Sequence, residues 1–380
     1  MKRISILLLV FCTCFDLALW SQAQPQRWQK IITFDAPGAG QSPGQGTLAL
    51  SINAAGAVAG GYLDGNSVYH AFMRGPLGGI ITFEASGAGT SAYQGTAGES
   101  INSAGEIAGQ YVDALCIEHG FLRTAGGKFT TFEAPGAGST PGTCSASQSL
   151  QGTVATDINQ GGTIAGYTLD VSNVYHGFVR TPDENFAIFN AQDAGTGSFQ
   201  GTFPAGISGL NDPGDIAGTY VDSGNVPHGF VRSGNGNITE FDVMGAQGTF
   251  SASINAGGVI AGEYLDANSA YHGFVRSSNG AMTTFDVKGA GNGAGQGTEP
   301  ESINSEGAIT GQYIDAQGVN HGFVRSPYGI ITTFDVPRAG NGAGQGTIPM
   351  SISMSDYMIG GVTGYYLDAN NVVHGFLWIP

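Results

Sequence analysis

A short histidine-centred motif recurs along this chain at near-constant spacing, and that recurrence limits the folds open to it more than any other feature. The motif reads HAFMR at 70, HGFLR at 119, HGFVR at 176, 228, 272 and 321, and HGFLW at 374. These seven copies contain all seven histidines of the 380 residues. Such self-similarity is the mark of a repeat architecture, in which each unit packs against its neighbours.

Other landmarks keep step with the histidines. The phenylalanine of TFD, TFE or IFN falls at Phe34, Phe83, Phe132, Phe189, Phe241, Phe285 and Phe334. A QGT segment starts at Gln45, Gln94, Gln151, Gln200, Gln247, Gln296 and Gln345. An acid precedes each histidine by six residues: Asp64, Asp113, Asp170, Asp222, Asp266, Asp315 and Asp368. The commonest period is 49 residues, and nearly all length variation lies between the TFD phenylalanine and the SIN segment that follows QGT.

Each unit reads as four strands: QGTxxxSIN, xIAGxYxD, HGFVR and ITTFD. Polar and apolar residues alternate within them with the period of two that a sheet requires. Tight turns follow N-x-x-G, with Asn first and Gly last. Four antiparallel strands repeated seven times predict an all-β, seven-bladed β-propeller. Its blades would cover about residues 45–84, 94–133, 151–190, 200–242, 247–286, 296–335 and 345–380. The segment 31–35 is a fourth strand with no blade before it, and HGFLW is a third strand with none after it. The two ends would therefore complete one blade and close the ring, removing the open edge that invites aggregation. An open β-solenoid or two smaller β domains is the alternative. The closed ring predicts a monomer.

Continuing the strand pairing places Asp315 opposite His321, His321 beside Phe334, and Asp315 near Thr298. A Thr–Asp–His–Phe row in every blade is then the main reading of the histidines, since half-buried Asp and His need partners. Seven equal copies argue against catalysis, which needs one asymmetric constellation. Blade centres also stand too far apart to converge on zinc.

The motifs resemble those of the HAF extracellular repeat proteins, marked by IN-x-x-G-x-hydrophobic-x-G followed by HAF-hydrophobic-Trp. INAAGAVAG with the HAF at 70–72, and HGFLW at 374, carry the likeness best. Elsewhere Gly usually replaces the Ala and Arg the Trp. The resemblance runs over residues 31–380 and implies an extracellular β-repeat protein, with no particular activity.

The N-terminus reads as a secretory signal over residues 1–23. Lys2 and Arg3 precede the apolar ISILLLVFCTCF, and Ser21-Gln22-Ala23 offers a cleavage site. A membrane anchor would need a longer apolar run. Cleavage would remove Lys2, Arg3 and Asp16, taking the formal charge from −16 to −17. An acidic chain without basic clusters speaks against nucleic acid and anionic membranes. Cys116 and Cys144 would remain and predict one disulfide across the longest insertion. Residues 24–380 are then one secreted or periplasmic propeller domain without a membrane span.

No catalytic residue and no cofactor is predicted. DGNS, DANS and DANN at 64, 266 and 368 resemble calcium loops but read as turns, which leaves calcium as the one candidate ion. The glycine-rich stretch at 289 lacks the lysine and helix of a phosphate loop. Glu99, Asp157 and Glu301 are expected to line a central channel. Segments 134–150, 190–199 and 203–209, with Tyr93, Phe199 and Phe203, are expected to meet a partner on one loop face. The expected function is a binding scaffold for a glycan or an extracellular protein. A polysaccharide lyase or hydrolase using channel carboxylates, and a calcium-stabilised envelope protein, are the alternatives.

Overall fold

Twenty-eight β-strands, and no helix, make up the described part of this computed structural model, which comprises residues 30–145, 149–206, 208–353 and 360–379. The expected signal segment lies outside the described residues. No described helix is long and apolar enough to cross a membrane.

The strands fall into four-stranded antiparallel units. In the first unit Gly46–Ile52 pairs with Val58–Leu63, that strand with Tyr69–Arg74, and that with Ile80–Phe83. At the far end of the chain, Val373–Ile379 pairs with Lys30–Phe34, from Lys30 opposite Ile379 to Phe34 opposite Gly375. A one-residue parallel bridge joins the start of an inner strand to the third strand of the preceding unit. Gly95 meets Tyr69 in this way, and Gly46 meets Val373. This is β-propeller architecture, with the QGT strands innermost.

The repeated residues explain the repeated shape. The glycine of HGF lies under the TFD phenylalanine of its own unit. A Cβ on Gly322 would come within 2.7 Å of the Phe334 ring, and one on Gly177 within 2.4 Å of Phe189. The HGF phenylalanines, such as Phe178, Phe274 and Phe323, are fully buried between units. Phe121 packs on Phe129, and the other six of the seven meet the edge of the preceding unit's TFD ring, as Phe285 and Phe323 do at 6.1 Å. The motif arginine lies over that same ring, Arg123 standing 4.5 Å from the centre of Phe83. In the last unit Trp378 takes the place of the arginine and stacks on Phe334 at 5.1 Å. The threonine of every QGT accepts the N–H of the second residue after the preceding fourth strand, as Thr47 does from Ala36 at 2.9 Å.

Asparagines link the units around the inner end. Asn53 Nδ2 donates to the Asn102 carbonyl at 2.9 Å, and the same link continues through Asn159, Asn211, Asn255 and Asn304 to Ser353.

The strand register differs from the sequence expectation. Tyr313, not Asp315, stands opposite His321, and Phe334 stands opposite Gly322. Asp315 belongs to the turn, where its Oδ1 accepts the N–H groups of Gln317 and Val319. A carboxylate that closes a turn in this way leaves the strand ladder. Segment 203–209 is also not an exit loop. Gly201–Pro204 is a shortened inner strand, and Ser208 bridges to Ser253 of the next inner strand.

Cys116, in a turn between second and third strands, is bonded to Cys144 in the following insertion, with a Cα separation of 5.3 Å.

Candidate functional site

Every repeated histidine is held from both sides. In the sixth unit His321 Nδ1 lies 2.9 Å from Asp335 and Nε2 lies 3.4 Å from the turn carboxylate of Asp315. His70, His119, His228, His272 and His374 are clasped likewise, and each of these six rings stacks on a tyrosine. His176 differs, having Asn190 at Nδ1 and Thr168 opposite in place of the tyrosine. The Glu133 hydrogen bond holds His119 above the usual imidazole range. All these contacts are made within the four-stranded unit that carries the histidine.

The turn acids are engaged as well. Asp64 Oδ1 accepts from the N–H groups of Asn66 and Val68, and its Oδ2 accepts from the Asn66 amide. Burial alone would raise the Asp64 carboxyl, but these donors outweigh it and hold it below the usual range. Asp266 and Asp368 make the same turn, so the DANS and DANN segments close hairpins.

One set of positions does not repeat. It comprises the third and fifth residues of the inner strand, the fourth of the second strand and the first of the third. In the second unit these are Ala97, Glu99, Gln110 and Glu118. In the third they are Val154, Thr156, Tyr167 and Tyr175. In the fifth they are Phe250, Ala252, Glu263 and Tyr271. In the sixth they are Glu299, Glu301, Gln312 and Asn320. The fifth inner-strand residue is the unopposed residue of a β-bulge in these units. A bulge re-aims a side chain out of the regular alternation.

Many of these positions line an axial cavity of about 480 Å³, to which the second unit contributes Glu99 and Gln110 and four others contribute Tyr167, Phe203, Glu263 and Glu301. A second cavity of about 260 Å³ shares Leu50, Glu99 and Gln110 with it and adds Tyr69, Tyr93 and Glu118. Among the described lining residues of both there is no Lys, Arg or His. Gln110 donates to Glu99 at 3.0 Å and Gln312 donates to Glu299 at 2.6 Å.

Glu99, Glu118, Glu263 and Glu301 line the two cavities and are half-buried, as is Glu299, and burial disfavours their charge. Burial, then repulsion from Glu99, pushes Glu118 up to about 8. Burial and Glu299 push Glu301 up to about 8. Burial raises Glu99 and Glu299 too, and raises Glu263 well above the carboxylate range.

The other expected residues divide. Glu99 and Glu301 meet at this axial cavity, whereas Asp157 lines another, of about 170 Å³, ringed by Ser51, Ser100, Ser208, Ile254, Ser302 and Ser351. Asp157 lies at the opposite end, 4% exposed, accepting from Ser100 Oγ at 2.6 Å and from the N–H groups of Ile158 and Leu210. Burial raises its carboxyl to about 7. Phe203 lines the cavity and packs on Tyr175 at 5.2 Å. Phe199 lines neither cavity and is half exposed.

Tyr93 and Phe199 occupy equivalent positions, each immediately before the QGT glutamine. Gly44, Gly295 and Gly344 hold that position in three other units with φ of 79°, 70° and 77°. Tyr93 and Phe199 adopt φ of 63° and 62° there despite their bulk. A left-handed conformation costs a side-chain-bearing residue roughly 1–2 kcal/mol, and such strain gathers at functional positions.

Sequence reasoning overlooked Gln110, Glu118, Tyr167, Glu263 and Glu299. The available signal was that these positions vary from unit to unit, as Gly61, Gln110, Tyr167, Thr219, Glu263, Gln312 and Tyr365 do, where the framework positions recur.

No family model matches the chain, and no curated protein matches it. Solved structures resemble it at low identity. A puromycin hydrolase mutant complexed with PGG aligns with TM-score 0.50 and 11% identity over 87% of this chain and 53% of that one. TolB from Acinetobacter baumannii aligns with TM-score 0.41 and 12% identity over 87% of this chain and 63% of its own. The BP39L lectin from Burkholderia pseudomallei aligns with TM-score 0.48 and 12% identity over 88% of this chain and 98% of its own. The chain thus spans less than two thirds of the first two. At these identities the likeness concerns the fold alone.

Proposed function

We propose that the chain is a closed, seven-bladed propeller, exported from the cytoplasm, that works as a glycan-binding module. Supporting closure, Lys30–Phe34 pairs with Val373–Ile379, and the inner strands of the first and last units share the Ile52 N–H to Ser351 Oγ bond at 3.4 Å. A disulfide in the described residues accords with an oxidising compartment.

The observation that carries the glycan reading is Tyr93, an aromatic side chain held at a strained backbone beside a cavity of carboxyl and amide groups. An aromatic face packs on the C–H face of a sugar ring, while carboxyl and amide groups hydrogen-bond its hydroxyls. Tyr69 and Phe203 extend the aromatic wall.

Glycoside cleavage fits less well. It requires two carboxyl groups whose environments drive them apart, one acid and one ionised. Here burial moves Glu99, Glu118, Glu263, Glu299 and Glu301 in the same direction.

The test is a glycan array on purified protein, followed by calorimetry on the strongest hit with wild type and Tyr93→Gly. Retention of a glycan by the wild type, and its loss in a variant that melts at the same temperature, is the expected result. Absence of binding to every glycan would overturn the reading.

A further inference from the structure

We infer that the glycan recognised by this site carries free amino groups, and that the axial cavity receives an ammonium group of an amino sugar. This inference rests on the glycan reading and narrows its ligand class.

The cavity is rich in carboxyl groups and, among its described lining residues, carries no Lys, Arg or His to pair with them. Glu99, Glu263 and Glu301 line it, with Glu118 at the connected mouth and Glu299 beside Glu301. Gln110, which lines the cavity, gives its amide N–H to Glu99 and leaves its Oε1 buried with no donor; Gln312, outside the lining, does the same on Glu299. Ser251 also lines the cavity, is 6% exposed, and its buried Oγ has no partner. Buried polar atoms without partners are uncommon and call for an explanation. A hydroxyl brings one donor together with acceptors, whereas an ammonium brings three donors and no acceptor. An ammonium that takes the place of the protons on these carboxyls therefore matches the lining, and a carboxylate, phosphate or sulfate finds no Lys, Arg or His there to meet it.

The walls fit the same ligand. Phe250 stands opposite Glu263 in the strand ladder, and Phe203 and Tyr167 face the cavity beside them. An ammonium near an aromatic face gains a further attraction, and the rings also accept a pyranose. The arginines that would otherwise compensate the acids lie between blades over phenylalanines, as Arg180 lies over Phe132. Burial holds Glu118 and Glu301 near about 8, so an entering ammonium displaces protons from them at neutral pH.

The test is calorimetry of the purified protein with a glucosamine oligomer, its N-acetylated counterpart and a neutral glucose oligomer of equal length. It is run at about 0.5 M salt to screen the acidic outer surface, in two buffers of different ionisation enthalpy. The glucosamine oligomer should bind at least about tenfold more tightly than either comparator, with release of protons to the buffer. Glu301→Gln should remove most of that preference while retaining the wild-type melting temperature or raising it. Equal or tighter binding of the N-acetylated or neutral oligomer would overturn the amine inference and leave the glycan reading standing. Failure of all three, with an empty glycan array, would overturn both. Spermidine binding as tightly as the glucosamine oligomer would also overturn the inference, in favour of general capture of polyamines.

Discussion

The outer framework of each blade and the row facing the axis are built from the same strands, yet they obey opposite rules. In the framework, equivalent positions hold equivalent chemistry: the His–acid clasp, the HGF phenylalanine and the QGT threonine recur from unit to unit. In the axial row the counterparts of Glu99 are Leu50, Thr156, Ala205, Ala252, Glu301 and Met350. Positions that must satisfy one packing geometry seven times cannot diverge without cost to each blade. Positions that face a shared cavity make no such repeated contact and can each contribute something different. The repeat therefore serves as its own internal control, separating support from function.

The largest expected effect lies in the framework. Phe274→Ala removes a fully buried ring and should cost about 3–5 kcal/mol of stability. Phe250→Ala in the axial row should cost less than about 2 kcal/mol. Urea unfolding of both variants measures the contrast, and equal losses would erase the distinction between the two regions.

Next in size is the disulfide. It closes a separation of 28 residues around the insertion, and Cys116→Ser with Cys144→Ser should cost about 3 kcal/mol. Reducing agent should lower the wild-type melting temperature comparably and leave the double variant unchanged.

The two regions should respond oppositely to pH. The turn carboxyls of Asp64, Asp170, Asp222, Asp266, Asp315 and Asp368 are depressed in the folded protein. Their contribution is present above the unfolded value of about 3.9 and is lost as pH falls through the folded values. Glu118 and Glu301 are raised from 4.5 to about 8. Their neutral forms are favoured by folding, so that contribution is complete below pH ~4.3 and is lost as pH rises toward 8. Glu301→Gln, which stays neutral, should therefore gain about 2 kcal/mol relative to wild type at pH 8 and little at pH 4. Thermal melts across that range test it, and a gain independent of pH would contradict it.

The smallest stability effect belongs to Tyr93→Gly. Relief of the left-handed strain and the added freedom of the unfolded glycine nearly cancel, so stability should stay within about 1 kcal/mol of wild type. Matched denaturation curves would place Tyr93 with the axial row, and a large loss would return it to the framework.

Much of this molecule was legible before its coordinates. The repeat period, the four strands per unit, the odd strand at 31–35 and the pairing of Cys116 with Cys144 follow from spacing, because period-two patterning and turn residues act locally. The binding row was only half legible. Glu99 and Glu301 stand out as acids within apolar strands, but Glu118, Glu263 and Glu299 look like ordinary surface residues in a linear reading. The histidine row was expected to stand beside its aspartates in the ladder, but Tyr313 takes that place opposite His321, since Asp315 leaves the ladder to close its turn.

By itself the sequence determined the local alternation: which residues form strands, where they turn, and how often the pattern returns. Tertiary structure alone decided which acids from separate blades share one cavity and that Asp157 lies apart from it. It also decided that two glutamine oxygens and a serine hydroxyl are buried without partners. The reason is physical: strand identity is set by neighbours a few residues away, whereas convergence on an axis depends on how every blade is rotated against the next.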